Sequence, residues 1–97
     1  MIVARKNINK NLPKKGFVKD ENGHHIYFHH YYNGLATGVS TYISHSKKTR
    51  DYSGRLLTEV RKQLELDSNQ EVVNLVNCPM GEDEYNEILR QKGFLPD

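Results

Sequence analysis

His24, His25, His29, His30 and His45 are the five histidines of the chain, and all fall between Asn22 and His45 with four of the six tyrosines. Imidazole titrates close to neutral pH, so it can take up a proton or deliver one. Read as a strand, this run places His25, Tyr27, His29 and Tyr31 on one face and Ile26, Phe28 and Tyr32 on the other, because successive side chains point to opposite sides. His25 opens that strand on its polar face, directly after the Gly23 turn. General acid–base chemistry needs a group that takes a proton and one that returns it, and His25 is the candidate for that work. His29 shares its face and could assist.

Other chemistries are less well supplied. Only His25 and His29 share a face at close spacing, and no third ligand with zinc-like spacing accompanies them, so no metal site and no cofactor is expected. Cys78, followed by Pro79 and far from any histidine, reads as a packed thiol. Tyr27 and Tyr31 could stack on unpaired bases, each stack being worth about 1–3 kcal/mol. Exposed tyrosines also occur in strands simply because they favour them.

The elements that must hold these residues follow from periodicity. Val39 to His45 is a second strand, in which Val39, Thr41 and Ile43 alternate with Ser40, Tyr42 and Ser44. Asn33 to Gly38, with two glycines, is expected to be the hairpin loop between the two. Phe17 to Glu21 is a short preceding strand, and Glu21-Asn22-Gly23 is turn chemistry. His24 falls on the apolar parity and is expected to be packed or hydrogen-bonded near the strand start. His30 is read as having no special role. Ahead of the strands, Ala4 to Leu12 can form a short helix with Ile8 and Leu12 on one face, stopped by Pro13.

After the strands, Ser53 is a plausible N-cap for a helix reaching about Leu66, with Leu56, Val60 and Leu64 as its apolar stripe and Leu57 on the flank. Ser68-Asn69-Gln70-Glu71 is a capping-box pattern opening a further helix through Val72, Val73, Leu75 and Val76. Glu82-Asp83-Glu84 lead a last helix carrying Tyr85, Ile88 and Leu89, which Gly93 ends with Phe94 as its hydrophobic contact. The predicted class is α+β: a three-stranded antiparallel sheet with helices on one face, in the order α-β-β-β-α, plus two C-terminal helices.

Ninety-seven residues, 36% hydrophobic and 27% charged, make one domain with a single modest core. That length excludes a doubly wound cofactor-binding fold. No stretch is apolar enough for a membrane span or a signal peptide's hydrophobic region, and the lone cysteine cannot form an internal disulfide, so the cytoplasm is expected. Net charge is only +2, but twelve of the fourteen Lys and Arg residues precede residue 63 while most acids follow residue 58. Such asymmetry suits a polyanion such as RNA, and equally an ordinary solvated surface. Lys47, Lys48 and Arg50 form a basic loop after the second histidine strand.

The order of these features resembles the HicA toxins. The residues that carry the likeness are Lys15-Gly16-Phe17-Val18, Asn22-Gly23-His24-His25-Ile26, Ser44-His45 followed by Lys47-Lys48, and the helix ending Val60-Arg61-Lys62-Gln63-Leu64. It spans roughly residues 8–66. Asn22-Gly23 stands where that family usually has Gly-Ser, and Pro13 is unusual in its first helix. The resemblance implies a double-stranded-RNA-binding-domain-like fold and a ribonuclease that cleaves mRNA in a toxin–antitoxin system. It also implies a HicB-like antitoxin as protein partner, His25 as the catalytic histidine and His45 as an auxiliary one. Lys15, Tyr27, Tyr31, Lys47, Lys48 and Arg50 are then the RNA-contacting candidates. Residues 1–66 would form the family-like core, with residues 67–97 a helical extension packed on it. Two other readings fit the same sequence: an RNA-binding module without catalysis, and a protein-interaction domain docking through its acidic C-terminal helices.

Overall fold

The two histidine-rich runs do pair, and everything else in the fold is arranged around one side of that pair. The structure, a computed structural model, describes residues 1–46, 48–77 and 79–95; the expectations for Lys47 and Cys78 lie outside the described residues. Strand β1 (Ile2–Ala4) leads into helix α1 (Arg5–Asn11) and a 3₁₀ turn (Leu12–Lys15). Strands β2 (Phe17–Asp20), β3 (His25–Tyr32) and β4 (Leu35–Ser44) follow. Strand β5 (Asp51–Ser53) then precedes helices α2 (Gly54–Gln63), α3 (Asn69–Asn77) and α4 (Glu82–Gln91). The main sheet is antiparallel with order β2-β3-β4, and β1 pairs with β5 in a separate two-stranded ribbon. This is the α+β class, with helices against a three-stranded antiparallel sheet.

Strand parity separates two faces. Ile26, Phe28 and His30 of β3 are buried together with Val39, Thr41 and Ile43 of β4. His25, Tyr27 and His29 lie opposite Ser44, Tyr42 and Ser40 on the other face. One core joins the buried face to every helix, including Ile8, Leu57, Leu75, Tyr85 and Leu89. Polar ties cross the same boundary. The Tyr85 hydroxyl donates to the Leu64 carbonyl at 2.8 Å, and Asn11 Nδ2 donates to the Val76 carbonyl at 2.7 Å.

Several elements differ from the sequence expectation. The β3–β4 loop is only Asn33-Gly34, both at positive φ (52° and 80°), the signature of a two-residue hairpin turn whose twist matches its strands. Strand β4 therefore begins at Leu35. The strand register then shifts between His29 and Tyr31, with Gly38 at φ 86° on the β4 side. Thr37 stitches the irregularity, its hydroxyl lying 3.2 Å from the His30 carbonyl and 3.3 Å from the Val39 amide. The β1–β5 ribbon was not anticipated, since three residues per strand are too few for alternation to show.

Helix α2 stops at Gln63 rather than near Leu66, because Glu65 takes φ 61°. That left-handed residue lets the Leu66 amide bond back to the Arg61 carbonyl at 3.1 Å and turns Leu66 into the core. Leu57, not Leu56, completes the apolar stripe of α2; Leu56 is 48% exposed. Ser53 makes no side-chain cap. His24 is exposed ahead of β3, because the strand starts one residue later and frees it from the parity argument. At the end of α4, Phe94 N–H bonds the Leu89 carbonyl (2.9 Å) and Gly93 N–H the Arg90 carbonyl (3.1 Å), but Leu95 rather than Phe94 is the residue buried there.

Candidate functional site

Four rings line the open face of the sheet. Tyr27 stacks on His29 with centroids 5.9 Å apart and planes within 4°. Tyr42, directly across from Tyr27, lies 5.5 Å from Tyr27 and 4.7 Å from the His25 ring. Neighbours across an antiparallel pair make such contacts unavoidable once the register is fixed. Tyr42 was absent from the sequence-based site set, although its alternation with Ser40 and Ser44 already placed it on this face. Tyr31 stays exposed, but the register shift separates it from the row, and among the described residues no ring contact joins them.

His25 sits where this row meets the helical layer. It lines a cleft of about 220 Å³ with Tyr42, Ser44, Thr49, Tyr52, Leu56 and Glu59 among its walls. His25 is half-buried, and its Nδ1 is buried with no hydrogen-bond partner among the described residues. An unpaired buried polar atom costs about 1–3 kcal/mol, and folding alone gives no reason to retain one. Tyr52 shapes the cleft floor by accepting the Ser44 amide proton on its hydroxyl at 3.0 Å. Glu59 is the single carboxylate of that lining. An imidazole, a carboxylate and several hydroxyls around one small cleft are the groups that proton transfer requires.

The auxiliary histidines take up positions beside this centre. His29 stacks on Tyr27 and lies 4.0 Å from the Asp20 carboxylate. His45 lies just past β4, exposed, with Nε2 donating to the Gly23 carbonyl at 3.0 Å, which ties the end of β4 to the loop preceding His25. Among the described residues no cluster of three or more His, Cys, Asp or Glu is placed to hold a metal ion.

The basic candidates divide. Lys15 is a correction to the RNA-contacting set: it is only 8% exposed, and its ammonium donates to the Met80 carbonyl. The 3₁₀ turn that carries it packs on α4, so this lysine holds the α3–α4 segment instead of facing solvent. Lys48 and Arg50 are exposed. Arg50 belongs to a second, larger cleft of about 610 Å³, lined also by Arg5, Lys6, Lys10 and Lys19. Thr49 lines both clefts, so the basic one opens beside the His25 one. Its cations come from α1, β2 and the segment before β5, a dispersion that hides it from any local pattern.

His30 proved to be the most deeply placed of the histidines, with 0% exposure. Its neutral form satisfies both ring nitrogens: Nε2–H donates to Asn86 Oδ1 at 2.9 Å, and Nδ1 accepts the Thr37 hydroxyl proton at 3.0 Å, a tautomer assigned from the network. Phe17 and Tyr85 present ring edges and faces at 5.1 and 5.4 Å. Burial pushes its pKa below the ordinary histidine value, opposed by the Asn86 hydrogen bond and the charge of Glu82. The sequence reading gives His30 no special role, whereas it is a buried tie between β3 and α4; its parity with Ile26 and Phe28 is the available signal, and Asn86 is too distant in sequence for the partnership to be read there.

Compared with protein-family models, with curated proteins and with solved structures, the chain matches none. Among the described residues no helix is long and apolar enough to cross a membrane.

Proposed function

We propose that this protein is a HicA-like, metal-independent ribonuclease acting on single-stranded RNA such as mRNA, with His25 as the proton-transfer group, and that its partner is a HicB-like antitoxin covering the histidine face. The observation that carries the reading is the His25 cleft: an imidazole whose Nδ1 has no structural partner among the described residues, walled by Glu59 and by tyrosine and serine hydroxyls, at the end of a row of partly exposed rings. The succession α1, β2, β3, β4, α2 agrees with the order that the resemblance implies.

The chemistry is an internal transesterification. His25 takes the proton of a 2′-hydroxyl, the 2′-oxygen forms its bond to phosphorus, and the bond from phosphorus to the 5′-oxygen breaks. The proton gained by the imidazole balances the one delivered to the departing 5′-oxygen, leaving a 2′,3′-cyclic phosphate and a 5′-hydroxyl. The ring row Tyr27, His29 and Tyr42 holds unpaired bases by stacking.

That ring row also favours a second reading, an RNA-binding module without catalysis. Purified wild type and His25→Ala, assayed on an unstructured RNA in EDTA, separate the two. The catalytic reading expects cyclic-phosphate products from the wild type and a rate roughly 10² to 10⁴ lower in the variant, the usual contribution of a general acid–base group. Equal rates would remove His25 from the mechanism. RNA bound without products would leave the binding module, and activity lost in EDTA and restored by zinc would require a metal.

A further inference from the structure

The cations around the basic cleft have no ion-pair partner among the described residues. Lys6, Lys10, Lys19 and Arg50 are exposed. They surround a concavity of about 610 Å³ whose lining includes one carboxylate, Asp51. Like charges gathered around a hollow repel one another and raise the potential inside it, an arrangement that nothing in the core demands. Arg5 fixes the cleft to the sheet, its Nε donating to the Ser44 carbonyl at 2.8 Å, and Ser44 is the residue paired with His25.

A second observation points the same way. Three buried side-chain polar atoms of the described residues lack a hydrogen-bond partner: Asn9 Oδ1, His25 Nδ1 and Asn69 Oδ1. Asn9 lines the basic cleft and His25 the adjoining one. Two of the three unsatisfied atoms thus fall in the two hollows that meet at Thr49, where a ligand's own polar groups would supply what the protein does not.

We infer that the basic cleft is the binding groove for the phosphate backbone of a single RNA strand, which passes over Thr49 into the His25 cleft; the inference rests on the ribonuclease reading and names its substrate path. Lys6, Lys10, Lys19 and Arg50 neutralise successive phosphates, and Arg5, anchored on Ser44, sets the strand's approach to His25. A single strand is the fitting form because stacking on Tyr27 and Tyr42 requires unpaired bases, which a duplex does not offer. The path joining the two clefts at Thr49 passes the end of the sheet, where His25 pairs with Ser44.

The test reads binding apart from cleavage. An unstructured 2′-deoxy oligonucleotide cannot be cut through a 2′-hydroxyl, so its anisotropy titration against salt reports the groove alone. Wild type should bind it with a steep salt dependence. In Lys6→Ala/Lys10→Ala/Lys19→Ala, with the thermal midpoint checked, the log–log salt slope should fall by about 2 and affinity roughly tenfold or more, since each neutralised phosphate on a single strand contributes about 0.7 to the slope. Binding by wild type with an unchanged slope in the triple variant would overturn the groove and leave the ribonuclease reading standing. No binding by wild type would overturn the groove, and the cleavage assay decides the ribonuclease reading separately. Equal affinity for a poly-glutamate peptide of the same charge would overturn it in favour of an acidic protein partner.

Discussion

His30 makes stability depend on pH in a direction that the structure fixes. Its folded-state pKa lies below the ordinary value of 6.5 because burial disfavours the imidazolium. In the unfolded chain the same ring is solvated and takes its proton around the ordinary value. The unfolded state therefore binds more protons as pH falls through 6.5, and the stability present above that value is progressively lost until the folded form protonates too. A full proton of difference is worth about 1.4 kcal/mol per pH unit. Because the unfolded ring is already half-protonated at 6.5, the loss between pH 6.5 and 5.5 is at most about 1 kcal/mol. For a domain of this size that lowers the midpoint by roughly 4–8 °C. Protonation would also disturb the contact that joins β3 to β4, since Nδ1 could no longer accept the Thr37 proton, while Nε2–H would keep its bond to Asn86 on α4; Glu82 limits the penalty by favouring the cation. Thermal unfolding of wild type and His30→Gln from pH 7.5 to 5 isolates the effect, as the difference between the two pH dependences cancels the other titrating groups. The variant should be less stable at pH 7.5 but lose less on acidification. Identical pH dependences, or a wild type that gains relative stability in acid, would refute the reasoning.

The remaining predictions concern packing. Leu57→Ala should cost about 2–5 kcal/mol in denaturant unfolding, whereas Leu56→Ala should stay within about 0.5 kcal/mol; the reverse order would mean that α2 presents its other flank to the core. Truncation after Leu66 removes Val72, Leu75, Val76, Tyr85 and Leu89, all buried, each worth roughly 1.5–3 kcal/mol against a typical total of about 5–15 kcal/mol. The truncated chain should show no cooperative thermal transition, and one at the full-length midpoint would mean that the last two helices do not support the core.

What could be read from the sequence was what repeats locally. Alternation placed Ile26, Phe28 and Ile43 inward and His25 and Tyr27 outward, and the apolar spacing of Val72 and Val76, and of Tyr85 and Leu89, located the later helices. The capping-box pattern at Ser68 and Glu71 also has its counterpart, with the Ser68 hydroxyl accepting the Glu71 amide proton at 3.2 Å and the Glu71 carboxylate accepting the Asp67 amide proton at 2.8 Å. Features that depend on one residue's backbone angle were missed: Glu65 ends α2 early by turning left-handed, and Asn33-Gly34 closes the hairpin in two residues. Features assembled from afar were missed as well. Lys15 looks like a surface cation until Met80 arrives to take its charge, and the basic cleft exists only because α1, β2 and the segment before β5 converge. The site was thus half legible, its histidine face from parity and its basic cleft only at Arg50.

The long-range ties also dictate an order of events during synthesis. Lys15, Asn11 and His30 each need a partner that the ribosome supplies 56 to 65 residues later. At about 5–20 residues per second, the earlier residues wait roughly 3–13 s with their polar groups in water and their apolar neighbours uncovered. In that interval the sheet's hairpin can form from local contacts and close on α2, which Thr41 ties to Gln63, but the side of the core that α3 and α4 cover stays open until they emerge. A nascent chain therefore carries His25 before it carries Tyr52, Glu59 and Gln63, which complete the wall of its cleft. The unfinished chain is correspondingly the form most dependent on chaperones, its exposed strand edges and apolar residues being open to other partners for those seconds.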